Sequence, residues 1–305
     1  MRFASKIVMV CLLATLLLAS STQAYDLPAV NLGFTSFMDG APPAGPGAYF
    51  TQYLQVYKTR SFTDLPSFMA KPKLTALISL TQFVYQSETS VIGSGKLGLD
   101  IIVPAVKFDL SHSGRGPGLG ANSWGLGDIL VGPYIQWDPI MGPNGPKLLQ
   151  RVELQIVLPT GKFDKKQNLN PGSKVFSVNP YWSGTYFFQP NVTGSLRFHY
   201  LWNSENSDTD HQPGQAVHAN LALAYEAQPR KLRLGVVGYF LKQITDSKTN
   251  GNADATEKEQ VVAVGPGGVY HFSQNDHLFV SLYLETAAKS RPEGTRLNLR
   301  YVHHF

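Results

Sequence analysis

The chain has 305 residues, 26 basic against 21 acidic, with a single cysteine. Charged residues are 15% of the total and aromatic residues 11%, whereas ordinary soluble domains carry roughly 25% charge. The near balance of charge speaks against a nucleic-acid partner. With Cys11 inside the leader described next, disulfides, thiolate metal sites and a cysteine nucleophile are excluded from the mature chain.

Residues 1–24, MRFASKIVMVCLLATLLLASSTQA, read as a secretory signal peptide with cleavage near Ala24: Arg2 and Lys6 precede an apolar run, and small residues follow it. The run from Ile7 to Leu18 is too short for a membrane-spanning helix. Its removal leaves 24 basic and 21 acidic residues. Residues 25–47 hold Gly33, Gly40, Gly45, Gly47, Pro42, Pro43 and Pro46, a composition that suits neither a helix nor a central strand. Two placements are open for this segment, a plug inside a barrel lumen or a periplasmic tail.

From residue 48 onward the chain alternates. Period two marks strands with one apolar and one polar face. It predicts twelve strands near 48–58, 73–86, 96–110, 126–137, 148–158, 181–188, 192–202, 216–226, 232–242, 261–272, 277–287 and 295–305. The seventh is clear: Val192, Leu196, Phe198, Tyr200 and Trp202 oppose Thr193, Ser195, Arg197 and His199. In the eighth, Val217, Leu221, Leu223 and Tyr225 oppose His218, Asn220 and Glu226. The tenth, VVAVGPGGVYHF, is apolar on both parities.

In the second half of the chain the connections alternate in length. Those at 189–191, 227–231 and 273–276 are tight, and those at 159–180, 203–215 and 243–260 are long. Outer-membrane barrels have this pattern, with short periplasmic turns and long outer loops. The connections 87–95 and 138–147 are long for turns and obey it less well. The predicted fold is therefore all-β: an antiparallel transmembrane β-barrel of about twelve strands (12–14) spanning residues 48–305, with both termini periplasmic. Hydrocarbon offers no partner for backbone N–H and C=O groups, so the sheet must close. The chain ends RLNLRYVHHF, where Leu297, Leu299, Tyr301, His303 and Phe305 share the membrane-facing parity.

Several stretches resemble a known family: NLGFTSFMDGAPPAGPGAYFTQYLQVY, GLGDILVGPYIQW, LPTGKFD, WNSENSDTD, VAVGPGGVY and RPEGTRLNLRY. In this order and spacing they are similar to the phenol meta-pathway outer-membrane proteins, from about Asn31 to Phe305. The resemblance implies a barrel in the outer membrane of a Gram-negative bacterium that admits aromatic or poorly soluble compounds. It also implies that Phe305 is the C-terminal signal read by the barrel assembly machinery. LETAAKSRPEG before the last strand departs from the family's more aromatic run.

The polar parities turn Arg151, Glu153, Arg197, His199, His218, Arg233, Glu285, Arg296 and Arg300 inward, with Tyr239 and Tyr283 as expected aromatic contacts of a solute. These residues make either a charge network that stiffens a narrow barrel or an eyelet that a solute crosses; in both cases they must be paired. Loop 203–211 gathers Glu205, Asp208, Asp210 and His211 but lacks EF-hand spacing, and no metal or cofactor is expected. GRGPGLGANSWG (114–125) opens no helix and PTGK (159–162) lacks the upstream glycine, so neither is a phosphate loop. There is no GxSxG or HExxH pattern. The expected function is passive uptake of small aromatic or hydrophobic solutes. A structural or adhesive barrel and an outer-membrane hydrolase are the alternatives.

Overall fold

The computed structural model describes residues 27–305 apart from 41, 43, 64, 66 and 255–257. The expected signal peptide lies outside the described residues. Twelve long strands form the wall: β1 (Gly47–Phe62), β2 (Lys71–Ile92), β3 (Gly95–Ser113), β4 (Ile129–Gln136), β5 (Gly145–Leu158) and β6 (Ser177–Gln189), then β7 (Val192–Asn203), β8 (Ala216–Gln228), β9 (Leu232–Gln243), β10 (Gln260–His271), β11 (Asp276–Lys289) and β12 (Pro292–His304). Each pairs antiparallel with its neighbours in sequence, and β1 pairs with β12 from Tyr49↔His304 to Phe62↔Pro292. The sheet is thus a closed twelve-stranded barrel without a free edge, as a lipid-exposed sheet requires.

The register puts the predicted faces where period two placed them. On β7, Arg197 and His199 are buried while Phe198, Tyr200 and Trp202 are exposed. On β12, Arg296, Asn298 and Arg300 are buried and Leu297 and Tyr301 exposed. The outward face carries a band of exposed Leu, Val and Ile. Aromatic residues flank it, Trp124 and Trp202 toward the long loops and Tyr85, Phe188, Tyr225 and Phe272 toward the tight turns. Such girdles mark the two interfaces of a transmembrane barrel.

The two connections that looked too long for turns are continuations of the wall. Ser90 pairs with Lys96 and Ile92 with Gly95, leaving residues 93–94 as the turn. Ile140–Gly142 forms a short strand on the beginning of β5. Polar residues such as Ser87, Glu88 and Thr89 hid the first extension, because below the hydrocarbon a strand needs no apolar face.

Residues 27–40 run inside the barrel, from the long-loop end toward the tight-turn end, held by hydrogen bonds to inward-facing side chains. The Leu27 amide donates to Glu259 Oε1 at 2.7 Å and the Gly33 amide to Asn220 Oδ1 at 2.9 Å. Asn298 Nδ2 donates to the Gly33 carbonyl at 2.8 Å. Lower down, the Met38 amide donates to Ser195 Oγ at 3.1 Å and the Gly40 amide to Thr185 Oγ1 at 3.0 Å. A segment rich in Gly and Pro forms no ladder of its own, so the wall must satisfy its backbone groups. Its apolar side chains Leu27, Leu32 and Phe37 pack on Val237, Val261, Val269 and Tyr283. This explains why β10 is apolar on both parities: Val262 and Val264 face outward, and its inner face packs against the segment rather than against water.

Two outer loops fold over the opposite side. Ala121 bridges Leu169, and Leu119 and Leu169 bury themselves with Tyr57, Leu74 and Phe108. Asp128 fastens them, accepting from the Gly161 amide at 2.8 Å and the Ser173 amide at 2.7 Å. The glycine-rich 114–125 stretch and PTGK thus build this cover. A Cβ on Gly161 would lie 2.6 Å from the Gly127 carbonyl carbon, which leaves no room for a larger residue. The outer loops after β7 and β9 join through a small sheet in which His211–Gln212 pairs with Lys248–Thr249, and the latter with Asn252–Ala253.

Candidate solute path through the barrel

The lumen has two unlike walls. One, on β1 and β5 to β12, is polar and closely cross-linked. Glu285 is a hub: it accepts from Arg296 Nε at 2.9 Å, Tyr239 Oη at 2.6 Å, Tyr57 Oη at 2.8 Å and the Gly294 amide at 2.7 Å. The Arg296 guanidinium also lies over the Tyr57 ring at 4.1 Å and donates to Gln55 Oε1 at 2.9 Å. A second hub centres on Arg197, which grips Asp39 of the inner segment through two bonds of 2.9 and 2.6 Å. The same guanidinium stacks on Tyr181 at 4.1 Å, and Tyr181 donates to Glu153 Oε2 at 2.5 Å. Arg151 covers the Tyr134 ring at 4.0 Å and donates to Gln136 Oε1 at 3.0 Å. Gln136 in turn holds the Gly40 carbonyl at 2.9 Å.

His199 and His218 stack at 4.2 Å, 14° from parallel, and His218 Nε2 meets Asn179 Oδ1 at 3.2 Å. Arg300 lies over the Phe279 ring at 3.6 Å. Arg233 pairs with Glu226 at 3.0 Å near the tight-turn end. Tyr283 lies directly under Gly33, where a Cβ would come within 2.6 Å of its ring; Gly33 has φ +78°, the left-handed region that glycine enters freely.

The other wall, on β2 to β4, is apolar on its inner face. Leu74, Ala76, Ile78, Leu80 and Val84 point inward from β2, and Ile102, Pro104, Val106 and Phe108 from β3. Between this wall and the inner segment lies a cavity of about 680 Å³. Its apolar lining is interrupted by a few polar groups: Gln82 Nε2 donates to Asp100 Oδ2 at 2.6 Å and Tyr53 Oη to Gln82 Oε1 at 2.8 Å. Small-molecule sites have this make-up, mostly apolar with few polar groups.

All eleven inward residues expected from the sequence lie on the inner face and are buried. Arg151, Arg197, Arg296 and Arg300 border the cavity. Glu153, His199, His218, Arg233, Tyr239, Tyr283 and Glu285 are packed among their partners or beneath the segment. The apolar wall escaped sequence reading because β2 and β3 are apolar inside and mixed outside, with Ser79, Thr81 and Gln52 facing outward and bonded to one another. Alternation fades there. That fading was the available signal, since a strand apolar on its inner parity faces something other than water. Phe305 is 73% exposed on the outward parity, its amide bonded to the Ala48 carbonyl at 3.1 Å. Among the described residues no group of three metal-ligating side chains occurs.

A closed barrel with an apolar outer band, aromatic girdles and a partly filled lumen defines the class: a β-barrel of the outer-membrane type. The chain belongs to the family described as "Putative MetA-pathway of phenol degradation", whose model matches residues 48–301. Its fold is similar to that of the COG4313 outer membrane channel from Pseudomonas putida F1, with TM-score 0.71 and 17% identity over 91% of this chain and 100% of that one. The β domain of the Bordetella autotransporter BrkA is also similar, at TM-score 0.53 and 12% identity, covering 86% of this chain and 100% of that one. No curated protein sequence matches the chain significantly.

Proposed function

We propose that the protein is a passive channel in the outer membrane of a Gram-negative bacterium, taking up small aromatic or hydrophobic compounds linked to aromatic degradation. Solutes pass between the inner segment and the apolar wall of β2 to β4, while the segment acts as the constriction. The observation that carries this reading is the unlike pair of walls: the polar wall is cross-linked to itself and to the segment, and the cavity of about 680 Å³ lies on the apolar side. Membership of a family named for phenol degradation and a fold shared with an outer membrane channel support it.

The mechanism is facilitated diffusion. Weak apolar contacts with Ile78, Leu80, Ile102, Val106 and Phe108 attract the solute without trapping it, and the bordering arginines with Tyr53 and Gln82 orient its polar end. Selectivity of this kind follows from the shape and polarity of the lining. The signal peptide delivers the chain to the periplasm, the assembly machinery engages Phe305, and no cofactor takes part.

The test is solute flux into liposomes carrying the refolded protein, with empty liposomes as the leak control. A phenol-like aromatic, a benzoate-like anion and a sugar of similar size are compared. Saturable aromatic flux that falls in Ile102→Trp supports the path. A folded barrel that passes no aromatic solute refutes it.

A further inference from the structure

The outward face of β1 to β3 carries a feature that solute passage does not use. Below the long loops, its side chains are those expected against hydrocarbon: Leu54, Leu77, Ile101 and Leu126 are exposed. From the row of Leu77 outward, the same face carries Lys107 on β3, Lys58 and Arg60 on β1, and Lys73 and Lys71 on β2, all exposed. The register fixes their arrangement. Lys107 is in one row with Val56, Leu77 and Trp124. Lys58 shares the next row with Thr75 and Asp109, and Lys73 is one row beyond, opposite Ser111. Ladder spacings put Lys58, Lys73 and Lys107 roughly 8–14 Å apart on one patch of wall.

Three observations identify its partner. First, Trp124 is 65% exposed beside Lys107, the position of an interfacial anchor, so the lysines stand at the height of lipid headgroups. Second, Arg60 pairs with Glu293 at 2.9 Å, but Lys58, Lys71, Lys73 and Lys107 have no salt bridge among the described residues, and the one carboxylate in their rows is Asp109. Third, the patch is one-sided: the outer rim of β9 to β11 offers Lys242, which donates to Gln260 Oε1 at 2.9 Å, and Lys289. Ammonium groups without salt bridges, on successive rows above an apolar wall, match a ligand with acyl chains below and anionic oxygens above.

We propose that this patch is a binding site for a phosphorylated glycolipid of the outer leaflet, its phosphates held by Lys58, Lys73 and Lys107 and its acyl chains lying on β1 to β3. The proposal rests on the membrane placement above and not on the choice of solute.

The test reconstitutes the refolded barrel in phosphatidylcholine vesicles doped with a fluorescent, doubly phosphorylated lipid A. The barrel is then recovered in mild detergent and the retained lipid is counted. Each lysine at a membrane surface contributes about fivefold in affinity, so K58E/K73E/K107E should lower retention about a hundredfold. K242E/K289E on the far rim should retain the lipid like the unaltered protein. Heat-modifiable mobility on gels checks that each variant is folded. Equal retention by the triple variant, or equal retention of dephosphorylated lipid A, overturns the proposal. So does displacement of the lipid by millimolar inorganic phosphate, which would mark a site for soluble anions. Failure of the barrel to insert in any vesicle overturns the membrane placement as well, and is thereby distinguished from insertion without lipid retention.

Discussion

Asp39→Ala tests whether the inner segment governs passage. Arg197 holds the Asp39 carboxylate through two bonds of 2.6 and 2.9 Å, with both side chains at most 10% exposed. Removing one member of a buried pair costs about 3–5 kcal/mol, because the other charge is left without its partner. The cost falls on the docked state of the lower half of the inner segment, around residues 38–40, and hardly at all on the barrel, whose ladders the change leaves intact. A loss of about 3 kcal/mol shifts the ratio of docked to released segment about 150-fold. The upper anchors, Asn220 and Asn298 on the Gly33 peptide, remain, so the segment is loosened at its lower half rather than expelled. Single-channel recording in planar bilayers should then show longer and larger openings than in the unaltered protein. The charge swap D39R/R197D should recover much of the original closure. A folded Asp39→Ala barrel whose conductance and open time equal those of the unaltered protein would refute the view that this pair latches the constriction.

Other outcomes follow from the two walls and the register. Leu299→Arg should destabilise the folded barrel by about 2–4 kcal/mol in urea titration within vesicles, the range for a cation on the lipid face near the midplane, because Leu299 pairs with Leu54 and Val280 on the outward side. Ile102→Trp should cut aromatic flux while leaving the urea midpoint nearly unchanged, since the new ring has the cavity of about 680 Å³ to enter. Gly33→Ala should cost about 1–3 kcal/mol in docking of the segment, through its φ of +78° and the ring of Tyr283 2.6 Å from the new Cβ, and should raise conductance. Phe305→Ala should lower the rate at which folded barrel appears in assembly-competent membranes, with no change in the conductance of the channels that do form.

Much of this architecture was readable because lipid and water enforce period two so strictly. On β7, β8 and β12 each side chain's surroundings were legible from parity, and Val302, the apolar exception on a polar parity, is buried inside with Tyr49 and Phe279. Parity identifies a face but not its occupant. Arg197 reads as inward from its own strand, yet its partner is Asp39, 158 residues earlier in the chain, in a segment with no periodicity to read. For the same reason parity turns Tyr239 and Tyr283 inward without showing that the Tyr239 hydroxyl meets Glu285 or that Gly33 lies against the Tyr283 ring. The apolar inner wall of β2 and β3 was hidden in the opposite way: with both parities partly apolar, the contrast on which the reading depends disappears.

The inner segment also bears on how the barrel is made. Asn220 on β8, Asn298 on β12 and Gln55 on β1 all reach the peptides of residues 31–34. These three strands come together around one point only when the sheet has curled. A sheet that closed around an empty lumen would seal those amides against nothing, and the segment would afterwards have to be fed lengthwise through the tightest part of the molecule. A sheet that curls with the segment already seated on β8 gathers β12 and then β1 onto the same peptides, so that the last seam to zip is the one the segment has brought into register. If the sheet closes on the seated segment in this way, the stretch that fills the lumen serves as a mandrel for the growing barrel, and shortening it should show first in the yield of closed barrels.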